Sequence, residues 1–254
     1  MVIIISKQKA KTTKSWNPFV GCNYNCVYCV PVFQSLLRSQ PCDECKKYSP
    51  HEHSYRLDRL YGDKIIFVCT TGDIAFANPD FMKRMLQVMK RDKKTGRVWL
   101  LQSKNPSCLE QYLPLLPENT YLVTTLETNR DERYEKISDA PKPSVRYAAF
   151  KALDWSKKIV NVEPIMDFDL EIFEDWIVDI DPVAVFIGYN SKPYAVSIPE
   201  PDKKKTWMLF NNLKNRGMKV LPRDMRDPSI KKMNYVDLFS NSEEFEPIKL
   251  DSFE

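Results

Sequence analysis

Within "SWNPFVGCNYNCVYCV" (Ser15–Val30), Cys22, Cys26 and Cys29 stand in the order C-x3-C-x2-C. Thiolates are soft ligands that hold iron–sulfur clusters, usually four to a cluster, and zinc. Only three thiols are close together here. One chemistry that uses three is a [4Fe-4S] cluster in which three irons are held and the fourth stays open to a small molecule. Structural zinc or a chance spacing competes with it. A second pair, Cys42 and Cys45, follows in "QPCDECKKYSPHEHSYRL", close to both histidines of the chain, His51 and His53. Cys-x2-Cys with nearby histidine fits zinc. A partial auxiliary cluster, or an exposed loop with incidental thiols, fits it as well.

The other residues with chemical use recur at one kind of place. Short runs rich in β-branched and apolar residues each end in polar groups: "TTGD" (Thr70–Asp73), "QSKNP" (Gln102–Pro106), "TLETN" (Thr125–Asn129), "NVEP" (Asn161–Pro164), "GYN" (Gly188–Asn190) and "PRDMR" (Pro222–Arg226). Gly72 allows close backbone approach, and Asp73 can accept a hydrogen bond from an ammonium group. Lys104 can neutralise a carboxylate or phosphate. Thr125 and Glu127 share a face by strand alternation, as do Asn161 and Glu163. A buried Glu163 needs a partner, which Arg223 or Arg226 can supply. Cys69, inside an apolar run, reads as a packed core thiol.

Helix-like segments separate these runs, among them "NPDFMKRMLQVMKRDKKTG", "SCLEQYLPLL", "RDERYEKIS", "SVRYAAFKALDWSKK", "DLEIFEDWIVDI" and "DKKKTWMLFNNLKNRG". Asn78 before Pro79 is an N-cap signal, and Gly96 and Gly217 stand where helix C-caps fall. Alternation of this kind predicts parallel β/α units. Counting a strand near "WNPFVG", there are about seven, as in a full or partial (β/α) barrel. The expected fold is therefore α/β, a partial barrel of six or seven parallel strands, whose strand ends converge on one mouth. One domain over 1–230, a cysteine-containing insertion at about 36–58 and an acidic C-terminal extension over 231–254, with its tail "NSEEFEPIKLDSFE" loosely packed, complete the expected organisation.

The chain has 254 residues and 43% hydrophobic content, enough for one sizeable core. Its net charge of +4 permits nucleic acid or phosphate as a partner without demanding either. The lysine-rich segments lack interleaved aromatics and read as solvated helix ends. No long apolar run predicts a membrane span. The N-terminal "VIII" precedes its charges and is short for a signal peptide, so a cytoplasmic location is expected. Seven cysteines in such a compartment point to metal or redox chemistry more than to disulfides.

With these residues in view, the chain resembles the radical SAM superfamily. CNYNCVYC matches the signature of that superfamily, with the aromatic Tyr28 before the last cysteine. The resemblance implies that Cys22, Cys26 and Cys29 ligate a [4Fe-4S] cluster and that S-adenosylmethionine (SAM) occupies the open iron. It further implies reductive cleavage to a 5'-deoxyadenosyl radical that takes hydrogen from substrate, with an electron donor required. Tyr28, Gly72, Asp73, Gln102, Lys104, Thr125, Glu127 and Glu163 become candidate cofactor contacts. Lys104, Glu163 and Arg223 become candidate catalytic groups.

The order "WNPFVGC", "SPHEHSYRL", "FVCTTGD", "LLQSKNP", "TLETN", "VEP" further resembles an uncharacterised, phage-associated radical SAM family with WNPxxGC and S/N-x-EP motifs. "QSKNP" replaces its LTKRP, and "PRDMR" stands where a lysine segment is usual, so the resemblance is weaker at the substrate pocket than at the cluster. By analogy it points to a nucleotide, nucleic acid or nucleobase substrate. Two other readings remain: DNA photolesion repair of the spore photoproduct lyase kind, and a non-catalytic iron–sulfur or zinc sensor.

Overall fold

The computed structural model describes residues 13–29, 33–60, 64–92 and 96–240. The first residues of the chain and the acidic tail 241–254 lie outside them. Seven strands form one open sheet: β1 (Thr13–Trp16), β2 (Ile65–Val68), β3 (Val98–Gln102), β4 (Thr120–Thr125), β5 (Lys158–Val162), β6 (Ala184–Ile187) and β7 (Val220–Pro222). They pair in sequence order and all in parallel. This is the expected α/β partial barrel. From β2 onward the strands carry side chains buried on both faces, as a sheet covered by helices outside and plugged within requires; β1, at the sheet edge, leaves Lys14 and Ser15 exposed.

Alternation splits the core in two. Outward residues such as Ile66, Trp99, Leu122, Val160 and Val185 join the core beneath the helices. There α3 (Pro79–Arg91), α4 (Pro143–Ala152), α5 (Leu170–Ile180) and α6 (Lys203–Asn215) pack their apolar stripes. Helix α3 opens as its sequence predicts, with the Asn78 side chain accepting from the Asp80 amide at 2.9 Å and Pro79 at the first turn. Inward residues, including Ile65, Val98, Leu100, Val123, Ile159 and Phe186, form a second core.

What closes that inner core differs from expectation. A short helix, α7 (Tyr235–Phe239), turns back inside the half-barrel, and Met233, Tyr235, Leu238 and Phe239 are buried against the inner face. A capping box on Asn234 and Asp237 starts it. The packed core therefore runs to Phe239, into the stretch from 231 that was expected to be an acidic extension, because an open half-barrel leaves its inner apolar face in need of cover; the tail expected to be loosely packed, 241–254, lies outside the described residues.

Three smaller differences have local causes. The first strand is Thr13–Trp16, one step before "WNPFVG", and Phe19–Val20 instead pairs antiparallel with His51–Glu52. "SCLEQYLPLL" is a 3-10 segment (Pro106–Leu115), consistent with Pro114 inside it. "RDERYEKIS" supplies only a single 3-10 turn, Tyr134–Lys136. Among the described residues no helix is long and apolar enough to cross a membrane.

Candidate active site

The strand C-termini open on one cavity of about 440 Å³, within the range of small-molecule sites. The cysteine loop, Gly21 to Cys29, forms one side of it and the strand ends the other. Cys22, Cys26 and Cys29 all line this space. They are joined there by Tyr28, Gly72, Asp73, Gln102, Lys104, Thr125, Asn161, Glu163 and Arg223, all candidates from sequence.

Two contacts seat the loop on the sheet. Gly21, with φ +95, donates its amide to Thr71 O at 3.0 Å, and its carbonyl accepts from Asp73 N at 3.1 Å. Gly72 bridges to Gly21, and a Cβ on Gly72 would stand 2.8 Å from Gly21 O and 2.9 Å from Gly21 N. Glycine is needed because two backbones meet without space for a side chain. On the other flank, Val27 N donates to Ile137 O at 2.9 Å, Asp139 N to Tyr24 O at 2.8 Å, and Cys26 Sγ lies 3.1 Å from Ser138 Oγ.

Asp73 is buried, and its carboxylate accepts from Ser103 Oγ at 2.7 Å, Lys104 N at 2.8 Å and Ala75 N at 3.0 Å. Burial nevertheless keeps its pKa above the usual carboxylate range. Its acceptors serve to fix the turn that carries Lys104.

Lys104 is buried, and its Nζ lies 3.5 Å from Cys26 Sγ and 3.3 Å from Tyr134 Oη, and in close contact with Tyr28 Oη and Glu127. Glu127 is fully buried and also ion-paired to Arg146 at 2.8 Å. Burial alone would raise the Glu127 carboxyl, but Arg146 and Lys104 outweigh it and draw it down to about 2. Glu127 therefore stands behind Lys104, outside the cavity lining, and its carboxylate is spent on Lys104, Arg146 and the tyrosines. Of the candidate cofactor contacts, Glu127 is the one that does not line the cavity. Tyr134 and Arg146 were missed in the sequence. An arginine within the amphipathic run "SVRYAAFKA" is the one signal that could have marked a buried cation.

The cavity floor is polar at β5 and β7. Asn161 Nδ2 donates to Tyr235 Oη at 2.9 Å. Arg223 Nε lies 3.5 Å from Glu163 Oε2, and its guanidinium sits 4.2 Å from the Phe186 ring centre and 4.8 Å from that of Tyr235. Burial raises the Glu163 carboxyl, with Arg223 opposing. Of the two expected partners, only Arg223 serves; Arg226 instead pairs with Glu200 at 2.6 Å. Gln102 Nε2 donates to Thr125 Oγ1 at 3.2 Å. Tyr24, Tyr48, Cys69 and Tyr235 line the cavity too. Cys69 belongs to the core as expected, yet its position at the end of β2 also puts it at the cavity wall.

The donor set fits an iron–sulfur cluster. Burial, with Asp73 next, pushes the Cys22 thiol well above its ordinary range, and burial with Cys26 raises Cys29. A bound multivalent cation reverses that preference and ionises thiols outright. The neighbouring Lys104 adds positive charge beside Cys26.

The second cysteine pair shares one small apolar cluster with Cys22 and Cys29. Cys42, Cys45, His51 and His53 each offer one donor atom, all within 4.8 Å of one another. Burial first, then Arg56, lowers His53 to about 4, leaving a neutral imidazole at neutral pH. Burial, then Cys42, raises Cys45 to about 11.

No protein-family model matches the chain, and no curated protein matches it significantly. Among solved structures, the fold is similar to spore photoproduct lyase. A cysteine-to-alanine mutant with dinucleoside spore photoproduct gives a TM-score of 0.51 at 13% identity, covering 81% of this chain and 62% of that one. A double mutant with bound AdoMet and dinucleoside spore photoproduct gives 0.50 at 14% identity, covering 82% and 63%. The chain thus spans less than two thirds of the length of either. At these identities the likeness is one of fold: an α/β partial barrel of parallel strands.

Proposed function

We propose that the chain is a radical SAM enzyme acting on an unidentified substrate of nucleotide or nucleic-acid-base type. The observation that carries this reading is the meeting of Cys22, Cys26 and Cys29 on one loop with the strand-end polar groups of a parallel half-barrel, around a single cavity. Cys22, Cys26 and Cys29 would hold a [4Fe-4S] cluster. When bound and reduced, that cluster supplies the electron that cleaves SAM to methionine and a 5'-deoxyadenosyl radical able to take hydrogen from substrate.

The chain's own residues bind, orient and shield. Lys104, fixed from behind by Glu127 and Asp73, sets positive charge against Cys26. The Gly21–Gly72 junction holds the loop at a set height over the strand ends. Gln102, Thr125 and Asn161 present amide and hydroxyl groups to the hydroxyls and nitrogens of SAM or a nucleoside. Arg223, braced on Phe186 and Tyr235, faces a substrate phosphate or carboxylate, with Glu163 beside it. Tyr235 and Phe67 give aromatic surface for a base. Support for this substrate class also comes from the spore photoproduct lyase structures, whose bound molecules are AdoMet and a dinucleoside. Seven free thiols fit a reducing, cytoplasmic setting with a donor of low-potential electrons.

The test is electron paramagnetic resonance of the anaerobically reconstituted, dithionite-reduced protein. SAM is expected to change the spectrum of the cluster, because it binds an open iron. A correctly loaded cluster whose spectrum ignores SAM supports the sensor reading instead.

A further inference from the structure

We propose that Cys42, Cys45, His51 and His53 form a closed, structural zinc centre that clamps the insertion onto the cysteine loop. This inference stands apart from the radical SAM reading and holds whether or not a cluster binds at Cys22, Cys26 and Cys29.

The donors come from two short segments. Cys42 is the N-cap of α2 (Asp43–Lys47), and Cys45 lies one turn on, so both thiols sit on one side of that helix. His51 begins the two-residue strand paired to Phe19–Val20, and His53 follows it. Cys42 Sγ is 3.4 Å from His51 Nε2, and Cys45 Sγ is 3.3 Å from His51 Nε2 and 3.2 Å from His53 Nε2. The two Nε2 atoms are 2.9 Å apart. A tetrahedron with Zn–S near 2.3 Å and Zn–N near 2.05 Å has S···N edges of about 3.6 Å and an N···N edge of about 3.3 Å. The four edges given above are each within about 0.5 Å of those lengths, and all four donor atoms lie within 4.8 Å of one another. Two thiols and two imidazoles are donors that zinc prefers, and with all four present no position is left open, as in structural rather than catalytic sites. Zinc binding would release the two thiol protons to solvent and leave a neutral centre.

Two further observations support the assignment. His51 Nδ1 lies 2.7 Å from the Ser49 carbonyl, which fixes the tautomer with Nε2 free to ligate. The insertion's own elements are short. Its helices α1 (Phe33–Arg38) and α2 have six and five residues, far below the ~12 that an isolated helix needs. Among the described residues, its own small apolar cluster, apart from Val20, is Leu37, Cys45 and Tyr48, while Leu57 joins the main core. A metal is the usual staple for so small a core.

The clamp reaches the cavity through Tyr48 and Ser49. Cys22 N donates to Tyr48 O at 3.3 Å, and Tyr48 lines the cavity beside Cys22 and Cys29. The position a Cβ would take on Gly21 is 2.1 Å from Ser49 O. The centre therefore sets one wall of the site without touching what binds there.

The experiment uses the full chain with Cys22, Cys26 and Cys29 all changed to alanine, dialysed against a chelator, with metals quantified by plasma mass spectrometry. About one zinc per chain is expected, as one four-ligand site requires. Cys42→Ala with Cys45→Ala should remove it. His53→Ala should lose most of it, and His53→Cys, which restores a soft ligand, should recover it. Cobalt exchanged into the wild-type chain should show the intense visible bands of tetrahedral, thiolate-bound cobalt, a readout that needs no variant to fold. Zinc-free protein, zinc that survives loss of Cys42 and Cys45, iron in place of zinc after reconstitution of the triple variant, or octahedral cobalt would each overturn the proposal.

Discussion

Glu127→Gln isolates the role the structure gives to the buried network behind Lys104. The substitution keeps the shape of the side chain and removes its charge, so Lys104 and Arg146 become two buried cations with no anion between them. Removing one partner of a buried ion pair costs about 3–5 kcal/mol. The acid–base balance gives a similar size: a carboxyl drawn from 4.5 to about 2 corresponds to about 3 kcal/mol at ~1.4 kcal/mol per pH unit. At about 2–4 °C per kcal/mol for a chain of this length, the melting temperature should fall by about 6–20 °C at neutral pH. The sign with pH follows from the lowered value. The stabilisation is present above the ordinary carboxylate range and is lost as pH falls from 4.5 toward about 2. Wild type should lose stability across that window, and the variant should show a shallower slope there. Anaerobic thermal unfolding followed by circular dichroism measures both. A ligand-free variant that melts within about 2 °C of wild type, and fails only in SAM binding, would refute the reasoning and return Glu127 to the role of a direct ligand contact.

Other expectations follow from the same geometry. Gly72→Ala forces a methyl group into the Gly21 backbone and should cost about 1–3 kcal/mol; iron per chain after reconstitution should fall, and full loading would contradict the loop-seating role. Tyr235→Phe removes the hydroxyl that satisfies Asn161 and should cost about 1 kcal/mol, whereas Tyr235→Ala opens the inner core and should cost about 3–5 kcal/mol; urea unfolding separates the two, and equal losses would argue against α7 as a plug. Arg223→Met should leave SAM binding, read by calorimetry, within about twofold of wild type while weakening a phosphate-bearing substrate by 10-fold or more, since a charge-assisted contact is worth about 1.5–3 kcal/mol; equal loss of both would move Arg223 to the cofactor.

Much of this arrangement was legible in the sequence because it rests on local rules. After β1, whose TKSW is not an apolar run, the strands are largely apolar with polar groups at or just past their C-terminal ends, so "TTGD", "QSKNP" and "NVEP" disclose both the strand and the end of the sheet that borders the cavity. The three cysteines need only their spacing to be seen. What stayed hidden depends on contacts far apart in the chain. Arg146 lies 19 residues beyond Glu127 on a helix whose pattern looks ordinary, and nothing local shows that its guanidinium turns inward to Glu127. Tyr235 lies in a polar stretch before an acidic tail, yet the open inner face of the half-barrel gives its ring a place to bury. Glu127 has the alternation of a cavity residue, but the strand ends at Thr125 and the pair it makes with Arg146 holds it behind the wall.

The account's central claim is tested most directly by quantifying 5'-deoxyadenosine by mass spectrometry after anaerobic reconstitution, reduction with dithionite and addition of SAM, with Cys26→Ala run alongside. Wild type should form 5'-deoxyadenosine and the variant none. A wild-type chain with a fully loaded cluster that forms none, or a variant that forms as much as wild type, would contradict the assignment of Cys22, Cys26 and Cys29 to radical chemistry.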